Sequence, residues 1–151
     1  MSKFKFSEKS MSSLNTCNHQ LLEIFNEVIK YFDCSVLTGF RDKEKQDKAF
    51  REGWSLLKFP KSKHNQFPSM AIDVVPYPIP EKWGVINFDD KIDKIKIQIK
   101  ELHKFYYFAG FVLGVAAAKG IKLKFGGDWD GDQDFNDQSF DDLVHFELVE
   151  D

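Results

Sequence analysis

The segment that most constrains this chain is residues 70–75, Met-Ala-Ile-Asp-Val-Val. Its apolar, β-branched character reads as a strand, and prolines at 76, 78 and 80 stop it. Strand alternation puts Ala71, Asp73 and Val75 on one face and Met70, Ile72 and Val74 on the other. Asp73 is then a carboxylate inside an apolar strand. Burying it alone is costly, so the fold must bring it a cation or hydrogen-bond donors. Residues 143–149 repeat the theme: Val144, Phe146 and Leu148 share one face, His145 and Glu147 the other.

The remaining pattern alternates helices with short strands. Residues 15–32 carry Leu21, Leu22, Phe25, Val28, Ile29 and Phe32 at helical spacing. Residues 34–38 form a short β-like run stopped at Gly39, and residues 42–52 a charged helix ended by Gly53. Residues 54–69 read as a loop. A long helix spans 90–119, capped from 88–90, with Gly110 and Gly114 as places where it bends or admits another backbone. A strand at 121–125 and an acidic loop at 126–142 lead to the last strand. There is no βαβ rhythm, so the expected fold is α+β, an antiparallel sheet with helices packed against it. No repeat or linker divides the 151 residues, and one domain spanning 1–151, with no further domain beside it, is expected.

Composition removes several function classes. A net charge of −3 gives no sign of the basic face that nucleic acid would need, and the lysines of residues 91–104 alternate with Ile and acidic residues as a solvated helix face would. Cys17 and Cys34 are the only cysteines; with no CxxC motif they read as free, buried thiols. Residues 1–13 are polar and lack the apolar segment of a signal peptide, and no apolar run reaches the ~18 residues of a membrane span. Synthesis in the cytoplasm without membrane insertion is expected, so something else must admit the protein to any substrate outside. A monomer is expected.

Two of the four histidines sit where ligands would. His64 follows Ser62 and Lys63 in a polar loop just before the Asp73 strand, and His145 lies in the last strand. With Asp73 they make a His/Asp/His set, the three-ligand, one-open-position pattern of catalytic zinc. A general base is also needed, and Asp142 stands three residues before His145 with Asp141 beside it. The plainer reading stays open on spacing alone: Asp73 paired with Arg41 or a lysine, and His145 a hydrogen-bonded strand residue. His19 and His103 fall in helical segments and read as structural. Asp128, Asp130, Asp132, Asp134 and Asp137 crowd one loop like the first half of a calcium site, or form a solvated acidic loop; the pattern is not an EF-hand.

These residues also carry a resemblance. Ser62-Lys63-His64, Ala71-Ile72-Asp73 and His145-Phe146-Glu147 resemble the S-x-H, A-x-D and H-x-E signature of the D-alanyl-D-alanine metallopeptidases, most closely the phage-type L-alanyl-D-glutamate endopeptidases, or endolysins. Gly39-Phe40-Arg41 with Gln46 looks like that family's G-x-R…Q element, and Gly126-Gly127-Asp128-Trp129 like its G-[GA]-D-W element. The likeness covers residues 35–149. It implies a small hedgehog/D-Ala-D-Ala-peptidase fold acting on bacterial peptidoglycan. It also implies zinc on His64, Asp73 and His145, Asp142 as acid/base where many relatives have Glu, and Arg41 as the oxyanion partner. Ser62 and Gln46 are implied as substrate contacts. The alternatives are a D-Ala-D-Ala carboxypeptidase or dipeptidase, a catalytically inactive binding module of the same fold, and a metal-free protein with coincidental motifs. Trp54, Trp83 and Trp129 read as core residues before groove residues.

Overall fold

The computed structural model describes residues 2–150. In chain order it contains α1 (Glu8–Leu14), α2 (His19–Val28), β1 (Cys34–Thr38), α3 (Lys43–Arg51), a 3-10 turn (Lys63–Asn65), β2 (Ala71–Pro76), α4 (Ile92–Ala118), β3 (Leu123–Phe125) and β4 (His145–Leu148). The strands form one antiparallel sheet in the order β1-β2-β4-β3, the α+β arrangement that the sequence patterning predicts.

Local chemistry sets the helix starts. Ser7, Asn18 and Asp42 cap α1, α2 and α3, each side chain accepting from a backbone N–H in the first turn. The N-terminal part departs most from the sequence expectation. Glu8–Leu14 forms a helix, α1, because the Ser7 cap and the packing of Phe4, Phe6, Met11 and Leu14 on the core outweigh a polar composition. The helix expected from residue 15 starts only at His19, since Cys17 first pairs with Ser69 in a β-bridge. α4 is one continuous helix. Its cap, Lys91, makes no side-chain bond, and Asp90 instead accepts from Gln98 Nε2 at 2.7 Å. Gly110 and Gly114 lie on it with open space where a Cβ would stand, so no backbone approaches them.

The core lies between the sheet and the helices α2 and α4. Phe146 of β4 is fully buried there, with ring centroids 5.7 Å from Phe25, 6.1 Å from Phe108 and 5.5 Å from Phe125. Ile72, Val74 and Leu148 join it from the same sheet face. Alternation then turns Asp73 and His145 to the opposite face. Both cysteines are buried and unbridged. Among the described residues, no helix is long and apolar enough to cross a membrane.

Candidate metal centre

β2 and β4 are neighbours whose register sets Asp73 directly opposite His145. A bulge in β1 between Val36 and Thr38 lies beside Asp73, where extra twist re-aims the strand end. His64 arrives from the 3-10 turn, whose cap is Ser62: its hydroxyl accepts from the His64 N–H at 3.2 Å, and Asn65 Oδ1 accepts from the Ser62 N–H at 3.1 Å.

Three side-chain atoms converge as a result. Asp73 Oδ1 lies 3.1 Å from His64 Nε2 and 3.2 Å from His145 Nδ1, and the two nitrogens are 3.3 Å apart. Ligands about 2.0–2.1 Å from a tetrahedral ion stand roughly 3.3–3.4 Å from one another, so this triangle has the size a single metal requires. The outer bonds fix which atoms point inward. His64 Nδ1 sits 2.7 Å from the Gly39 carbonyl oxygen, which only accepts, so a hydrogen lies there and Nε2 is the nitrogen left to give a lone pair to a metal. His145 Nε2 sits 2.9 Å from Glu147 Oε2, leaving Nδ1 for the site. His64, Asp73 and His145 thus form a buried group able to hold a metal ion.

Charge is arranged around this group. Burial opposes ionisation of Asp73, but the His64 charge and hydrogen bonds from both histidines hold its carboxyl well below the usual range. Burial likewise opposes the His145 cation, yet hydrogen bonds to Asp73 and Glu147 raise its pKa to about 10. The second oxygen of Asp73 accepts from Arg41 Nη2 at 3.2 Å. Asp142 is half-buried; burial and the Asp73 charge push its carboxyl upward, against the pull of His145 and His64. Its place depends on Gly126, which takes the Asp142 N–H at 2.7 Å and donates to the His145 carbonyl at 2.8 Å. A Cβ at Gly126 would collide with the Asp142 carbonyl oxygen.

The group opens on a cleft of about 1200 Å³ whose lining includes Arg41, Ser62, Asp142 and Glu147. Gln46, expected as a substrate contact, is instead fully buried, with both ends of its amide committed. Its oxygen accepts from Arg41 Nη1 at 3.1 Å and Asn65 Nδ2 at 3.2 Å, and its Nε2 donates to the Leu57 carbonyl at 2.6 Å. It holds Arg41 in place. The three tryptophans also depart from expectation, because all line the cleft and none belongs to the core. Trp54 is 74 % and Trp83 46 % exposed, on loops at the rim, while the Trp129 ring lies 5.2 Å from that of His145. His19 and His103 are exposed on α2 and α4 and stand outside the metal-holding group.

Of the five acidic-loop residues, Asp128, Asp130 and Asp132 bring oxygens together. The oxygens of Asp128 accept from the Gly131 and Gln133 N–H groups. Asp134 accepts from Asn136, and Asp137 from Gln138. Sequence reasoning assigned no role to Glu147 or to the Gly39 carbonyl. The first shares a strand face with His145 and was findable by its period of two, whereas a main-chain oxygen leaves no trace in residue type.

A His/Asp/His group able to hold a metal, placed in a long cleft beside a carboxyl that burial pushes upward, is the equipment of a hydrolytic enzyme. The chain belongs to the phage L-alanyl-D-glutamate peptidase family, whose model matches residues 1–149. It is 29 % identical over 138 residues to the L-alanyl-D-glutamate peptidase of Escherichia phage T5, covering 89 % of this chain and 88 % of that one. The crystal structure of the Serratia marcescens L-Ala D-Glu endopeptidase ChiX shares the fold, with a TM-score of 0.67 at 21 % identity, covering 97 % of this chain and 92 % of that one.

Proposed function

We propose that this protein is a zinc-dependent endopeptidase that hydrolyses the L-alanyl-D-glutamate bond of the peptidoglycan stem peptide in host lysis. The observation that carries the reading is the triangle of His64 Nε2, Asp73 Oδ1 and His145 Nδ1, with edges of 3.1–3.3 Å, opening on a cleft beside Asp142. Two imidazole nitrogens and one carboxylate oxygen suit zinc, and a three-ligand set leaves a position for substrate chemistry. Zinc bound there supplies Lewis acidity.

The chain's own groups do the rest. Asp142, whose proton affinity burial raises, takes a proton from the attacking water and passes it to the departing amine. Arg41 stabilises the negative charge that develops on the scissile carbonyl oxygen. Its guanidinium is held by Asp73 and Gln46, so it reaches the substrate already oriented. Ser62 lines the cleft while its hydroxyl fixes the turn that carries His64. Calcium on Asp128, Asp130 and Asp132 belongs to the same proposal, since the loop they share runs on to Asp142 and His145. Full recovery of chelated protein on zinc alone would count against the calcium.

The test is mass spectrometry of muropeptides after digestion. Wild type should separate L-Ala from D-Glu, and His64→Ala should leave the peptides whole. Release of terminal D-Ala instead would make the protein a carboxypeptidase, and intact peptides with zinc-loaded wild type would make it a binding module.

A further inference from the structure

Two lysines in the cleft have no assigned task. Lys45 and Lys48 lie one turn apart on α3, line the cleft, and are exposed. Neither side chain has an ion-pair partner among the described residues, although Lys43 on the same helix pairs with Asp47 at 2.6 Å. A lysine that makes no pair on its own helix keeps its full charge for a ligand. Glu52, on the same side of the cleft, is the one acid facing them there, and Lys63 is already paired with Glu150 at 2.6 Å.

The opposite side carries the other sign. α3 follows β1 at one edge of the sheet, whereas the loop supplying Asp130, Asp137, Asp141 and Asp142 follows β3 at the other edge. Asp73 and His145 of the metal-holding group sit on β2 and β4 between them. The cleft is therefore bipolar across its chemical centre. An anionic ligand is repelled from one wall and attracted to the other.

Resting on the peptidase reading above, we propose that Lys45 and Lys48 are specificity residues that bind the free carboxylate of the D-glutamyl residue. Glutamate has two carboxyl groups, and a peptide bond onward consumes only one, so a D-glutamyl substrate presents a carboxylate beside the bond to be cut unless that group is itself amidated. Amidation of that group removes its charge and leaves its shape nearly unchanged. The lysines then distinguish the acid from the amide by charge, while Arg41 stays engaged with Asp73.

The experiment compares two synthetic stem peptides, one with the D-glutamyl carboxyl free and one with it amidated, using zinc-loaded protein. Wild type should cleave the free acid with about three- to tenfold higher kcat/KM, mostly through KM, and salt should shrink the difference. In Lys45→Met/Lys48→Met the ratio should fall towards one, and in Lys45→Glu/Lys48→Glu it should invert. Binding to Asp142→Asn, followed by calorimetry, should show the same preference for the acid without turnover. Equal cleavage of both peptides by wild type, or a preference that survives in both double variants, would overturn this inference and leave the peptidase reading standing. Failure to cleave either peptide would overturn both.

Discussion

Asp73 and His145 face each other across paired strands, with His145 Nδ1 3.2 Å from Asp73 Oδ1, and the same oxygen is 3.1 Å from His64 Nε2. A strand register thus does most of the work of site assembly. Only His64 must be carried in from a turn, and backbone bonds hold that turn: Arg41 N–H to the His64 carbonyl at 2.8 Å, and Met70 N–H to the Lys63 carbonyl at 3.2 Å.

Asp142 is not one of the three converging groups. Asp142→Asn should therefore retain the metal at wild-type stoichiometry and lose about 10²–10⁴-fold in kcat. Metal analysis paired with turnover checks this. Loss of metal in the variant would make Asp142 a ligand.

Glu147 holds His145 by its outer nitrogen at 2.9 Å. Glu147→Gln should weaken metal binding about 10–100-fold, because the neutral amide orients the ring less firmly and adds less basicity at Nδ1. A competition titration against a chelator reads this directly. Phe146, on the opposite face, stays buried, so the melting temperature of the metal-free variant should change little.

Metal affinity should rise with pH. In the metal-free protein His145 has a pKa of about 10, raised above the roughly 6.5 of an unfolded histidine. Its contribution to metal-free stability is full below about 6.5 and is lost as pH rises through about 10. Asp73 shifts downward, so its contribution is present above about 3.9 and lost on acidification. A metal needs the Nδ1 lone pair and must displace a proton there. Calorimetry in buffers of different ionisation enthalpy should show about one proton released per ion near pH 7. The metal-induced gain in melting temperature should grow from pH 6 to pH 9.

Gly126→Ala should damage catalysis more than metal binding. The added methyl meets the Asp142 main chain, and Asp142 must move. A shift of about 1 Å at a catalytic carboxyl costs on the order of a hundredfold in rate. Steady-state kinetics with a parallel metal assay separates the two effects.

Much of this was readable from residue order. Alternation in residues 70–75 and 143–149 placed Asp73 and His145 on strand faces away from the core, and pairing of those strands brought them together. Asp42 and Gly53 bracketed α3 to within a residue because caps and helix stops are local chemistry. What escaped the sequence depends on distant partners. α1 is 7 residues long, too short to show a period, and rests on the core through Leu14 and its neighbours. Gln46 is placed at the substrate only by the family likeness, and the fold alone supplies Arg41, Asn65 and the Leu57 carbonyl as its partners. The tryptophans look like core residues by composition, yet they flank the cleft on loops whose course is set by tertiary contacts.

The most direct test is diffraction from zinc-loaded crystals, recorded on both sides of the zinc absorption edge. The account predicts one strong anomalous peak about 2.0–2.2 Å from each of His64 Nε2, Asp73 Oδ1 and His145 Nδ1. No peak there, or zinc bound only at the Asp128–Asp130–Asp132 loop, would contradict it.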